Sequence, residues 1–191
     1  MESSPVTEFM QFRMVAPAAK RVLAFYSPGQ GGARLEASAK QLSVVGVELV
    51  TVEADGPDSV AEGYETHRGS VDALWYMNDP VIMQPKIFDY LREHTVQDRL
   101  PFLSSLSDSF AKAGALAAVS IDSTALGSQV ASMARRILRG EATPAQLGVQ
   151  DPIGNTLTVN LGVADAIELT ISDDVMPMIN NLIVSKKPTS H

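Results

Sequence analysis

The 191-residue sequence contains no cysteine, so disulfides, thiolate nucleophiles and thiolate metal sites are all excluded. It also lacks a basic excess: 22 Asp and Glu against 15 Lys and Arg give a net charge of −7, with no basic stripe to neutralise a phosphate backbone. The longest apolar runs, such as Val22–Tyr26, fall far short of the roughly 20 residues that a membrane-spanning helix needs. We therefore expect no nucleic-acid partner and no membrane insertion.

Signatures of catalysis are missing as well. There is no G-x-S-x-G, no H-x-x-x-H, and the three histidines, His67, His94 and His191, stand in unrelated settings. We therefore predict a protein that is not an enzyme, with no catalytic residues, no metal ligands and no cofactor.

The stretch Met1–Met14 lacks the apolar core of a signal peptide. We expect a periplasmic or extracellular protein if an export signal has been removed, and a cytoplasmic one otherwise.

What the sequence does contain is a repeated alternation of short apolar segments with helical patterns, in a composition that is 45% apolar and 19% charged. Five predicted strands cover Arg21–Ser27, Val47–Glu53, Val71–Met77, Leu100–Leu106 and Leu116–Ile121. The predicted helices between and after them cover residues 33–45, 59–68, 81–93, 107–113 and 123–139. Such alternation predicts an α/β fold with three layers: a doubly wound, mostly parallel five-stranded sheet with helices on both faces.

The alternation of strand and helix patterns, and the places where it stops, divide the chain into four segments. We predict an N-terminal arm or hinge over residues 1–16, an α/β lobe over 17–142, an appended C-terminal strand-helix segment over 143–184, and a disordered tail over 185–191. Within the appended segment, Thr156–Asn160 alternates as a strand does, and residues 173–184 favour a helix interrupted at Pro177. This segment carries apolar residues that need a partner surface, so we predict a homodimer or a swapped C-terminal segment. Those residues are Leu157, Val159, Ile167 and Leu169.

Three stretches resemble one known family. They are Pro17–Pro28, Val71–Asp79, and Ser107–Asp122, the last followed by Leu126-Gly127 and Ala134–Gly140. Together they resemble the ABC-transporter substrate-binding proteins with the type I periplasmic-binding fold, some of which bind aromatic amino acids. The resemblance runs from about residue 17 to about residue 175. It implies the second lobe of such a protein plus its C-terminal return segment.

That resemblance implies a role and partners. The expected role is a non-enzymatic solute-binding lobe for a small ligand, for example an amino acid. The expected partners are the small-molecule solute and either a missing first lobe or a transporter permease. In such folds, polar loops at the carboxyl ends of parallel strands converge on the ligand. The predicted ligand-binding residues are Ser27, Gly29, Gly31, Asn78, Asp79, Ser107, Ser109, Phe110 and Asp122.

Within that set the residue types predict separate tasks. A ligand amino group favours Asp79 or Asp122, whereas a carboxylate favours the backbone N–H groups around Gly29–Gly32 or Ser107–Ser109. Both aspartates are also well suited to capping a turn or a helix.

Two other interpretations stay open. The same fold can serve as a sensor or protein-interaction domain without a competent pocket, which the glycine-rich loop after the first strand favours. A nucleotide-binding α/β domain is the other, because Gly29–Arg34 partly matches G-x-G-x-x-G and Glu53 ends the second strand. Arg34 stands at the third glycine position, where its side chain would obstruct close packing of helix on strand.

Overall fold

The computed structural model describes residues 4–29 and 31–184. Seven strands occur in these ranges: β1 (Arg21–Tyr26), β2 (Glu48–Glu53), β3 (Ala73–Tyr76), β4 (Phe102–Ser104), β5 (Ala117–Ile121), β6 (Asn155–Asn160) and β7 (Asn181–Ile183). The α-helices of the same ranges are α1 (Pro5–Val15), α2 (Gly31–Val44), α3 (Pro57–His67), α4 (Pro85–Gln97), α5 (Asp108–Ala113), α6 (Ser123–Leu138), α7 (Pro144–Leu147) and α8 (Leu161–Ala166). Short 3-10 turns cover Arg68–Ser70 and Met176–Met178.

All seven strands belong to one sheet, in the order β2-β1-β3-β4-β5-β6-β7. The first five are mutually parallel, β6 is antiparallel to β5, and β7 is parallel to β6. The predicted fold class is confirmed: the chain has a mostly parallel α/β sheet with helices on both faces. The strand number differs from the prediction, because the appended segment extends the same sheet by two strands and does not pack as a separate unit.

Two apolar clusters cover the two faces of the sheet. One joins α1 and α2 to the sheet and to the C-terminal segment, with Phe9, Phe12 and Leu42 fully buried. The other joins α3 and α4 to the opposite face around Tyr64 and Leu91. Strand alternation explains the division, since neighbouring side chains on a strand point to opposite faces. The result is the three-layer arrangement that the sequence predicted.

The N-terminal segment that we predicted to be an arm or hinge forms helix α1. Its side chains Phe9, Phe12 and Val15 have no exposed surface, because they pack against the sheet beside α2. Residues 5–15 are therefore part of the core of this lobe. The boundaries drawn between the four segments stay a prediction, and the tail at 185–191, predicted to be disordered, lies outside the described residues.

The helix predicted at residues 173–184 was wrong. That stretch contains the 3-10 turn Met176–Met178 and then β7, which extends the sheet beside β6. Pro177 offers no backbone N–H to a helix, and β6 presents a free strand edge that residues 181–183 pair with. A long-range pairing therefore overrides the local pattern.

The apolar residues that we expected to need a partner are covered within the chain. Leu157 and Val159 have no exposed surface, Ile167 is 5% exposed, and Leu169 packs against the same cluster. The premise of the dimer prediction was therefore wrong: β6 pairs with β5 in the sheet, and all four side chains belong to or pack against the apolar cluster of their own lobe. A homodimer stays a prediction without that argument.

Helix α6 is unusual among the longer helices because none of its side chains is buried. Its apolar side includes Val130, Ile137 and Leu138, exposed by 54%, 38% and 85%. Asp122 caps its first turn by accepting hydrogen bonds from the N–H groups of Thr124 and Ala125.

In residues 4–29 and 31–184, no helix combines the length and the apolar character that crossing a bilayer requires.

Candidate functional site at the carboxyl edge of the sheet

The five parallel strands all end at one edge of the sheet, called here the carboxyl edge. Helix α2, which follows β1, packs on one face, whereas α4, which follows β3, packs on the other. Since β1 and β3 are neighbours, the chain connections diverge between them. Such a divergence opens a crevice outside the strand ends, and it is where doubly wound folds bind ligands.

A cavity of about 350 Å³ lies at this point of the carboxyl edge. We call it the rim cavity, and it is lined by Ser4, Pro5 and Glu8 of the α1 region, Ala37, Ser38 and Gln41 of α2, Trp75, Met77 and Asn78 at the end of β3, Ser105 after β4, and Asp151. Its volume falls at the lower end of the range of roughly 300–1,000 Å³ that is typical of small-molecule sites. Its walls mix an indole and a thioether with amide, hydroxyl and carboxyl groups.

Among the described residues that line the rim cavity, Glu8 is the most deeply buried ionisable group. Its side chain is 4% exposed, and its Oε2 accepts a hydrogen bond from the Ser105 hydroxyl. Ser105 Oγ in turn accepts a bond from Trp75 Nε1 at 2.6 Å, so a chain of donors ends on the Glu8 carboxyl. Burial raises the pKa of Glu8 to about 8, although the bond from Ser105 acts in the opposite direction. Glu8 is therefore largely uncharged at neutral pH.

Asp79, which the sequence predicted as a ligand contact, is occupied by its own loop. Its Oδ2 accepts hydrogen bonds from the backbone N–H and the hydroxyl of Ser27, both at 2.9 Å. Its Oδ1 accepts from the N–H groups of Val81 at 2.9 Å and Ile82 at 3.1 Å. Burial acts to raise the pKa of Asp79, but these hydrogen bonds outweigh it and hold the pKa below its ordinary value. Asp79 thus joins the loops that follow β1 and β3.

Of the predicted residues, the structure places Asn78 on the wall of the rim cavity. Ser27 and Asp79 are buried and hydrogen-bonded to each other in the loops after β1 and β3. Gly29 follows Ser27 in a turn with a φ of +89°, which glycine adopts without strain, and Gly31 is the first residue of α2. Gln30 between them lies outside the described residues.

The remaining predicted residues follow β4 and β5 at the same edge and are not among the residues that line the rim cavity. Ser107 and Ser109 are exposed at the start of α5 and contact each other through their hydroxyls. Phe110 packs against Tyr76 and Phe88 on the opposite face, with ring centroids 5.6 and 5.3 Å apart. Asp122 caps α6 after β5. Their predicted role in ligand binding stays a prediction.

Sequence reasoning missed most of the wall of the rim cavity, and Glu8 above all. A signal for it exists: Glu8 stands on the helical face that also carries Pro5, Phe9 and Phe12, where an acidic residue is out of place. The α2 residues Ser38 and Gln41 carry no comparable signal, because small polar residues are ordinary in a helix.

Within the described ranges, no group of three His, Asp or Glu side chains is arranged to hold a metal ion.

The sheet order, the two helical layers and the crevice between β1 and β3 together define one α/β lobe of the periplasmic-binding type. The family model described as "ABC transporter substrate binding protein" matches residues 2–182. The chain therefore belongs to the family of ABC transporter substrate-binding proteins, which is a family of binding proteins and not of enzymes. Comparison with the sequences of curated proteins found no match.

Solved structures agree on the fold. An ABC domain from Streptococcus pneumonia in complex with L-Trp is 21% identical, with a TM-score of 0.70 over 95% of this chain and 62% of that chain. A conserved domain protein from Vibrio cholerae is 21% identical, with a TM-score of 0.71 over 94% of this chain and 60% of the other. A ligand-free, open substrate-binding protein with adhesive properties from Clostridium difficile is 19% identical, with a TM-score of 0.71 over 96% and 60%. The chain thus spans 60–62% of the length of these three relatives.

Proposed function

We propose that this chain is a lobe that binds a small solute in the rim cavity and serves an ABC transporter. The observation that carries the proposal is the position of the cavity, at the point of the carboxyl edge where the connections of β1 and β3 diverge. Family membership supports the transport role, and the relative with bound L-Trp supports a solute of amino-acid size. A periplasmic or extracellular location, a first lobe and a permease are parts of the same proposal.

A screen of solutes by thermal unfolding tests this function. A ligand that binds only the folded state raises Tm, so free amino acids and small metabolites at millimolar concentration are added one at a time. We expect at least one solute to raise Tm in a saturable way. A screen in which none does contradicts the proposal.

Two variants of helix α2 locate the binding site. Ala37 is exposed and lines the rim cavity, so Ala37→Phe fills the cavity with little disturbance of the core. Lys40 is exposed on the same helix and does not line the cavity, so Lys40→Phe is the matched control. We expect Ala37→Phe to abolish the solute-induced rise in Tm and Lys40→Phe to retain it. Equal responses would place the solute elsewhere.

A protein-interaction role is a second candidate, and the exposed apolar side of α6 favours it. Val130 and Leu138 expose 54% and 85% of their surface on a helix without any buried side chain. Surfaces of this kind mark contact sites for other chains. This candidate predicts concentration-dependent association in sedimentation that Val130→Glu weakens, together with a null solute screen.

A further inference from the structure

The ionisable groups that the described residues place on the wall of the rim cavity are both acidic. Glu8 and Asp151 line it, and none of the described residues on its wall is Lys, Arg or His. Asp79 stands close by in the chain, but its two oxygens are taken by four donors of its own loops. Glu8 is therefore the enclosed carboxyl of this cavity that a solute meets.

The hydrogen bonds around Glu8 suit an ionised carboxylate that is paired with a cation. Trp75 Nε1 donates to Ser105 Oγ, and the Ser105 hydroxyl donates to Glu8 Oε2. Donors directed at a carboxyl stabilise its anionic form, whereas burial opposes that form. A positive charge next to Glu8 resolves this opposition, because a buried carboxylate is tolerated when it is paired and hydrogen-bonded.

We propose that Glu8 recognises a cationic amine on the solute, and that Glu8 gives up its proton as that amine binds. The inference rests on the proposed function, since it concerns the solute of the same cavity. The neutral carboxylic acid and the ammonium ion form a carboxylate–ammonium pair, and the released proton passes to the buffer. The raised pKa of Glu8 supports the step, because a carboxyl group with a pKa of about 8 is mostly protonated at neutral pH. Asp151 is the other ionisable group on the described wall.

Proton coupling gives the site a defined pH dependence. At a pH below the pKa of Glu8, the amine must displace a proton, so the affinity falls about tenfold for each pH unit of acidification. A solute without an amine shows no such dependence. In an acidified exterior the protein therefore holds its solute less tightly than in a neutral one.

Calorimetry on matched solutes tests the proposal. The probes are L-tryptophan, L-phenylalanine and L-leucine, each compared with the acid that lacks only the amine: indole-3-propionate, 3-phenylpropionate and 4-methylpentanoate. Titration at pH 7 in phosphate and in Tris, whose ionisation enthalpies differ, gives the number of protons released. We expect the amine-bearing members to bind with release of about one proton, and the amine-free members to bind at least tenfold more weakly.

Two variants complete the test. Glu8→Gln keeps an acceptor for Ser105 but has no proton to release, so the proton release and the amine preference should both disappear. Glu93→Gln changes an exposed residue of α4 on the opposite face and should bind as the unmodified protein does. Because proton release is measured on the unmodified protein, the proposal is tested even if Glu8→Gln does not fold.

The outcomes separate this inference from the function on which it rests. Binding of amine-bearing solutes without proton release overturns the role of Glu8, and so does an unchanged amine preference in Glu8→Gln. If only solutes without an amine bind, the inference fails while the solute-binding function stands. If no solute binds in these titrations or in the wider thermal screen, both fail.

Discussion

Asp79 binds Ser27 twice across 52 positions of sequence, through the backbone N–H and the hydroxyl of Ser27, both at 2.9 Å. The same carboxylate accepts the N–H groups of Val81 and Ile82 with its other oxygen. One buried side chain therefore holds together the loops after β1 and β3, the two strands between which the chain connections diverge. Asn78, the residue before Asp79, lines the rim cavity, so this crosslink lies next to the cavity wall in the chain.

Asp79→Asn should destabilise the protein by about 1–3 kcal/mol. The four donors share two carboxylate oxygens, but the asparagine amide has only one oxygen. Its NH2 group would face donors in place of the other oxygen. Urea unfolding at pH 7 measures the loss. Asp89→Asn is the control, since Asp89 is 66% exposed and forms only a surface ion pair with Arg92. A cost for Asp79→Asn no larger than that of Asp89→Asn would contradict the crosslink.

The same comparison has a pH dependence of known sign. The pKa of Asp79 is lower in the fold than in the unfolded chain, so its stabilising contribution is present above the ordinary carboxyl pKa and is lost as the pH falls through the lowered value. The difference in unfolding free energy between the unmodified protein and Asp79→Asn should therefore shrink in acid. A difference that grows in acid would show that the hydrogen bonds do not favour the ionised form.

Glu8 should give the opposite pH dependence, because its pKa rises from 4.5 in the unfolded chain to about 8 in the fold. The folded state holds the proton more tightly, so the contribution of Glu8 is complete below pH 4.5 and is lost as the pH rises through about 8. Relative to Glu8→Gln, the unmodified protein should lose up to about 1.4 kcal/mol per pH unit in that window. Urea unfolding at several pH values measures this loss. Glu93→Gln is the control, and its stability relative to the unmodified protein should not change across this pH window.

Two glycines in helices should respond to alanine in opposite directions. A Cβ on Gly63 would lie 2.8 Å from Val52 Cγ1 and 2.9 Å from Phe25 Cε1, so α3 packs on the sheet at a distance that only glycine allows. Gly63→Ala should cost about 1–3 kcal/mol through overpacking. Gly127 in α6 has open space around it, and Gly127→Ala should add about 0.5–1 kcal/mol by favouring the helix. Thermal unfolding compares the two variants directly.

Helix α6 should exchange its amide hydrogens faster than α4. Ile87, Phe88 and Leu91 anchor α4 in the core, whereas no side chain of α6 is buried. Hydrogen exchange followed by mass spectrometry gives the two rates in one experiment. Asp122→Ala removes the cap of α6 and should accelerate exchange in that helix while leaving α4 unchanged. Equal protection of both helices would mean that another surface covers α6.

The parallel part of the fold was predictable because its strands are short apolar runs bounded by turn residues. Their central residues, 22–25 in β1 and 117–119 in β5, are all apolar and buried, so these runs are easy to recognise. β7 was not predictable in the same way. Asn181–Ile183 is short and largely exposed, and it is a strand because β6 offers an edge to pair with, which no local pattern reports.

The candidate site was predictable in position and only partly in its residues. The carboxyl ends of parallel strands share an edge in any such fold, which is why Asn78 was identified as a candidate. Aspartates at strand ends look alike in sequence whether they meet a ligand or a backbone, and only the structure shows that the loop donors occupy Asp79. Glu8 was missed because the first residues were not recognised as a helix that packs against the end of β3.

The antiparallel direction of β6 brings the segment before this strand back to the rim cavity. Because Asn155 pairs with Ile121, β6 starts where β5 ends, and the linker before it returns to the carboxyl edge with Asp151 on the cavity wall. Helix α1 reaches the same wall from the opposite terminus through Glu8. A protein truncated after β5 would keep its parallel strands yet lose one side of the enclosure, so a binding assay on the isolated parallel core would examine an incomplete receptacle.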